Sequence, residues 1–176
     1  MKTKQVVQAA LLVSLALALS YTERFIPLQL LVPLPGVKLG LANIVTMVAL
    51  YFLTPRTALR ILVVRCLLGC LFGNGVTALA MSLTGGLCAL AVMLLCKRIS
   101  FLSIFGVSIL GAAAHNFGQV CAASLLLYSG YTFGYLPFLL LVAIPSGFIT
   151  GTIASATLRV LIAAGKHMQR YPEETK

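Results

Sequence analysis

The sequence predicts an all-α integral membrane protein, a single bundle of six transmembrane helices with both termini in the cytoplasm. Three observations predict it. The 176 residues are 60% hydrophobic and 9% charged, far outside the composition of soluble domains. Long apolar runs alternate with short charged or Pro/Gly breaks, the pattern of a polytopic chain. With six spans, the cations gather on one side of the membrane, and the positive-inside rule makes that side cytoplasmic. The whole chain forms one domain, placed in the plasma membrane.

The first span is read from about Gln5 to Thr22. Lys2 and Lys4 precede it, but no small-residue cleavage site follows, so it reads as a permanent span and not a signal peptide. The second runs from about Leu39 to Leu53 and the third from about Thr57 to Phe72, both short for a hydrocarbon layer of ~30 Å. The fourth covers about Gly75 to Cys96, with Gly85–Gly86 as a weak point. The fifth covers about Ser103 to Tyr128. The sixth runs from about Tyr135 to Ala164, with Pro145 as a kink. Arg56, Arg60, Lys97, Arg98, Arg159, Lys166 and Arg170 then share the side of Lys2 and Lys4, while Glu23, Arg24 and Lys38 lie opposite.

The connector between the first two spans, residues 23–38, is rich in Leu, yet Pro27, Pro33 and Pro35 forbid a regular helix. Two readings stand: a segment lying in the headgroups, or a lid over an outward pocket. Irregular backbone exposed to lipid is costly, so either form rests on the bundle.

Polar residues inside the apolar runs are the candidates for function. Arg65 lies midway along the third span, where a cation costs on the order of 2.5–3.5 kcal/mol. It pairs with a carboxylate, for which Glu23 is the available partner, or faces an anionic substrate that a guanidinium can grip with two parallel bonds, or does both in turn, with Glu23 released when substrate enters. In the fifth span, His115 and Gln119 are four apart and Asn116 and Gln119 three apart, so the three share one broad helical face among small residues. They form interhelical hydrogen bonds or a pocket wall. Asn43 is either a helix-end cap or a further pocket residue.

Two small-residue stripes recur at four-residue spacing: Ala10, Ser14 and Ala18, and Gly147, Gly151 and Ser155. Such stripes let helices approach closely, within the bundle or, on the first span, against another membrane subunit. The five cysteines have no CxxC spacing and read as reduced core residues.

Several classes are excluded. The net charge of +10 is explained by topology, so no nucleic-acid partner is expected. There is no GxxxxGK[ST] loop for ATP. There is no aspartate at all, hence no acidic motif to hold magnesium and a diphosphate. No metal site, catalytic residue or cofactor is expected, and the chain is not read as an enzyme. No carboxylate lies at a span centre, where ion-coupled carriers commonly need one. A pocket without an engine points to a binding subunit driven by partners.

The stretches "PLPGVKLGLANIVTMVALYFL", "LRILVVRCLLGCLFGNG" and "GVSILGAAAHNFGQV" together resemble the family called Gx transporter, also named heptaprenyl diphosphate synthase component I. That family is similar to the substrate-binding S components of energy-coupling factor (ECF) transporters. The resemblance implies a six-helix S-component-like fold with the first external loop as a gate. It assigns Ala10, Ser14 and Ala18 to docking a transmembrane coupling protein that works with two ATPase subunits. The chain would then capture a small, anionic molecule, of vitamin or isoprenoid/quinone-precursor type, with Arg65, His115, Asn116, Gln119, Asn43 and Glu23. The alternative is a non-catalytic membrane accessory subunit of heptaprenyl diphosphate synthesis.

Overall fold

The computed structural model describes residues 3–25, 38 and 40–170; for 3–5, 24, 73, 74 and 164–170 only the backbone is described. Most of the proline-rich connector read as a lid therefore lies outside the described residues. What is described is helical, with no strand among it.

The helices are α1 (Thr3–Thr22), α2 (Asn43–Phe52), α3 (Pro55–Gly69), α4 (Gly75–Cys96), α5 (Ile104–Leu126) and α6 (Leu136–Arg170). Short 3-10 turns follow α1 at Glu23–Phe25 and precede α6 at Gly130–Tyr135, and a π turn, Cys70–Asn74, links α3 to α4. Three stretches, Gly75–Cys96, Ile104–Leu126 and Gly130–Ala163, are long and apolar enough to cross a membrane. Val6–Thr22 and Asn43–Phe52 are apolar but shorter.

Local chemistry sets the boundaries. Thr54 caps α3, accepting from the Thr57 N–H at 3.2 Å, with Pro55 in the first turn, where its missing N–H costs nothing. Ser103 caps α5 through the Gly106 N–H, also at 3.2 Å. The second helix starts at Asn43, not near Leu39, because Gly40 takes φ +82. That left-handed residue breaks the helix and leaves a turn closed by Asn43 N–H to the Gly40 carbonyl at 2.8 Å. Asn43 makes no cap; the cap position is Ala42, without a side-chain bond. The third helix ends at Gly69, three residues before Phe72, where the backbone widens into the π turn. The sixth continues through Pro145 to Arg170.

Gly85–Gly86 is not a weak point. α4 runs unbroken through it, and the glycines serve close packing. α5 lies between α4 and α6 and makes the most extensive contacts with both. A Cβ on Gly118 would stand 2.8 Å from Gly85 Cα and from the Thr84 carbonyl oxygen. Thr84 Oγ1 donates across this contact to the Gly118 carbonyl at 3.2 Å. Gly147 and Gly151 of α6 face α5: a Cβ at Gly147 would meet Ile109 Cα at 2.5 Å. That part of the stripe is internal packing, joined by the Ser108–Thr150 hydroxyl pair at 2.8 Å.

α2 touches each of the other five helices, and its residues Asn43–Leu50 are all buried. They form the centre of the core with Ile61, Leu62, Leu90, Met93 and Val107. At the Leu50 end, Lys97 Nζ donates to the Leu50 carbonyl at 2.9 Å and lies 4.7 Å over the Tyr51 ring.

Candidate polar site at the start of α2

The left-handed turn at Gly40 brings the beginning of α2 against α3, α4 and α5. Five of the expected residues meet there. Arg65 is 6% exposed, and its Nη2 makes a long contact of 3.5 Å to Asn43 Oδ1. A Cβ at Gly40 would lie 2.9 Å from Asn43 Nδ2 and 3.3 Å from His115 Nε2, so asparagine and histidine close on the same glycine. Gln119 Nε2 is 3.0 Å from His115 Nε2, the meeting that four-residue helical spacing provides. Gln119 Oε1 accepts from the Lys38 N–H at 3.4 Å. With its oxygen so used, the amide nitrogen donates and His115 Nε2 accepts.

α4 approaches this cluster because it has no side chains at two positions. A Cβ at Gly85 would stand 2.8 Å from the His115 carbonyl oxygen, and one at Gly86 would stand 3.4 Å from an Arg65 guanidinium nitrogen. On its other side Arg65 borders a small recess, about 10 Å³ in volume, lined by Ser20, Lys38, Cys66, Gly69, Ala78 and Ser82 among others.

Glu23, 5% exposed, reaches the same place from beyond the end of α1 and accepts from the Leu41 N–H. Burial pushes its carboxyl above the usual carboxylate range, against the opposing pull of that N–H and of Lys38 and Arg65.

Hydrogen bonding here is incomplete, and donors are in excess. Among the described residues, Arg65 Nε, Asn43 Nδ2 and His115 Nδ1 are buried without a hydrogen-bond partner. Buried polar groups are nearly always paired, so the cluster can still receive an acceptor.

Asn116 faces elsewhere. Its Nδ2 donates to the Leu139 carbonyl of α6 at 2.7 Å, which ties α5 to α6. It is one residue, or about 100° of helix, from His115. Ala10, Ser14 and Ala18 are exposed along α1, Ser14 Oγ bonding only back to the Ala10 carbonyl, at 3.1 Å. Sequence reasoning missed Lys38, Ser20 and Ser82. The signal for Ser82 was its spacing of three and four from Gly85 and Gly86, and for Ser20 its spacing of three from Glu23. Among the described residues no three His, Cys, Asp or Glu side chains gather as metal ligands would.

No curated protein and no solved structure matches the chain. A family model, described as heptaprenyl diphosphate synthase component I, matches residues 12–157. That description implies a second component as partner, and component I is the non-catalytic one, so the chain is not itself an enzyme. With most of its length matched, the chain belongs to the heptaprenyl diphosphate synthase component I family.

Proposed function

We propose that the chain is the substrate-capturing membrane subunit of an ECF-type importer and binds a small anionic molecule at Arg65. The observation that carries this reading is the surplus of buried donors, Arg65 Nε and Asn43 Nδ2, beside a guanidinium. Each unpaired group costs about 1–3 kcal/mol, and a carboxylate or phosphate would restore both. In a six-span arrangement with both termini in the cytoplasm, Arg56, Arg60, Lys97, Arg98 and Arg159 lie inside. The start of α2 then faces outward, toward an incoming ligand. Arg65, Asn43, His115, Gln119 and Glu23 form the site, and Asn116 supports its helix from behind. Energy comes from a transmembrane coupling protein and two ATPase subunits, docked on the exposed Ala10–Ser14–Ala18 face.

The family match favours a second reading, a non-catalytic accessory subunit of heptaprenyl diphosphate synthesis, in which the same donors hold a lipid diphosphate. One experiment separates the two. The tagged chain is purified from native membranes in mild detergent, and both its protein partners and its released small molecules are identified by mass spectrometry. A coupling protein with two ATPases supports the importer. A prenyl synthase chain instead refutes it in favour of the accessory subunit.

A further inference from the structure

The protein itself supplies an acceptor beside the donor-rich site. Glu23 Oε1 accepts from the Leu41 N–H. Leu41 lies in the turn that opens α2, between Gly40 at φ +82 and the Ile44 N–H that returns to the Leu41 carbonyl at 3.0 Å. Leu41 precedes the cap position Ala42, beside the positive end of the α2 dipole, which favours an anion. Lys38 and Arg65 are the cations whose fields act on Glu23. Asn43 Nδ2, on a side chain 4% exposed, is beside Gly40 with no partner among the described residues. Arg65 Nε, equally buried, also has none.

We infer that this turn is an anion hole with Glu23 as its resident occupant, and that the ligand's acidic group is a carboxylate that binds by taking Glu23's place. The inference rests on the binding reading above and deepens it. A carboxylate already fits the hole, so the ligand class is the one the turn demonstrably accepts. Glu23 leaves Asn43 Nδ2 and Arg65 Nε unpaired, so a ligand that reaches them gains bonds the resident does not make. Both carboxylates cannot use the single Leu41 N–H, and their charges repel, so Glu23 leaves as the ligand arrives.

The test fills the hole with a probe. Glu23→Gly in the full chain, in lipid nanodiscs, is melted with formate, acetate or chloride at equal ionic strength. The variant is expected to melt below wild type. Formate or acetate should raise its Tm by roughly 2–4 °C, chloride should not, and wild type should not respond because its hole is filled. Formate acting no better than chloride on the variant, or equally well on wild type, overturns the inference. Should the glycine variant fail to fold, Glu23→Ala replaces it. It too leaves the Leu41 N–H without a side-chain acceptor at position 23, with the same rise expected and the same failure decisive. Formate is the probe and not the native ligand. Its failure therefore removes the exchange and leaves the importer reading to the pull-down; rescue without ECF partners does the reverse.

Discussion

Replacing Gly85 by alanine tests how the site is assembled, because Gly86 is its own control. A Cβ at Gly85 would lie 2.8 Å from the His115 carbonyl oxygen, with His115 Cε1 and Gln119 Cγ at 3.0 Å. Carbon atoms at 3.0 Å are about 0.5 Å inside comfortable contact. The carbonyl is backbone and can move only if α5 moves. Overpacking of this kind costs about 1–3 kcal/mol. At Gly86 the close atoms are Leu62 Cδ1 at 2.8 Å, Leu62 Cγ at 3.2 Å and an Arg65 guanidinium nitrogen at 3.4 Å, all of them side-chain atoms that can shift without moving a helix backbone. Each alanine gains about 1 kcal/mol of helix propensity over glycine, so this gain cancels when the two variants are compared. Gly85→Ala should be the less stable by about 1–3 kcal/mol, or at least ~2 °C in Tm for a chain of this size. It should also weaken ligand retention by pushing His115 and Gln119 outward. The assay is thermal unfolding in nanodiscs, read by dye labelling of Cys66 and Cys96, which are buried in the folded chain. Equal melting of the two variants, or a lower Tm for Gly86→Ala, would refute close α4–α5 approach as the reason for the glycine pair.

Arg65→Ala should weaken binding of the co-purifying anion about 10- to 100-fold, the worth of a charged hydrogen bond, and Arg65→Lys should not restore it because a point charge cannot replace the planar fork; unchanged retention in equilibrium dialysis would remove Arg65 from the site. Ser14→Leu should break partner assembly in the pull-down while leaving ligand retention intact, and normal assembly would refute docking on α1. Lys97→Met loses the bond to the Leu50 carbonyl and the cation over Tyr51, and should cost about 1 kcal/mol, seen as a lower melting point with unchanged ligand retention.

Composition and hydropathy made the helical class legible, because membrane helices need long apolar runs whatever their tertiary contacts. The meeting of His115 and Gln119 was legible from a four-residue spacing on one helix. That Arg65 and Asn43, 22 residues apart, lie in contact was not, since nothing local links α2 to α3 across the core. The reading of Gly85–Gly86 as a weakness failed for a related reason. A glycine pair looks the same in sequence whether it loosens a helix or admits a neighbour, and only the His115 carbonyl opposite decides. Asn116 shows the limit of a shared-face argument. Three polar residues within five positions do share a broad face, but α6 claims one edge of it and the site claims the other.

The burial of Asn43–Leu50 of α2 also bears on how the chain enters a bilayer. A ten-residue helix rises about 15 Å, half the hydrocarbon layer of ~30 Å, and cannot be anchored by lipid on both leaflets. In the six-span arrangement proposed above, its insertion would be coupled to that of its neighbours, with α2 and α3 entering the membrane as a hairpin through the Thr54–Pro55 turn. Bulky polar replacements in Val45–Leu50 should therefore act during biogenesis, leaving less chain in the membrane instead of an assembled chain with a lower melting point.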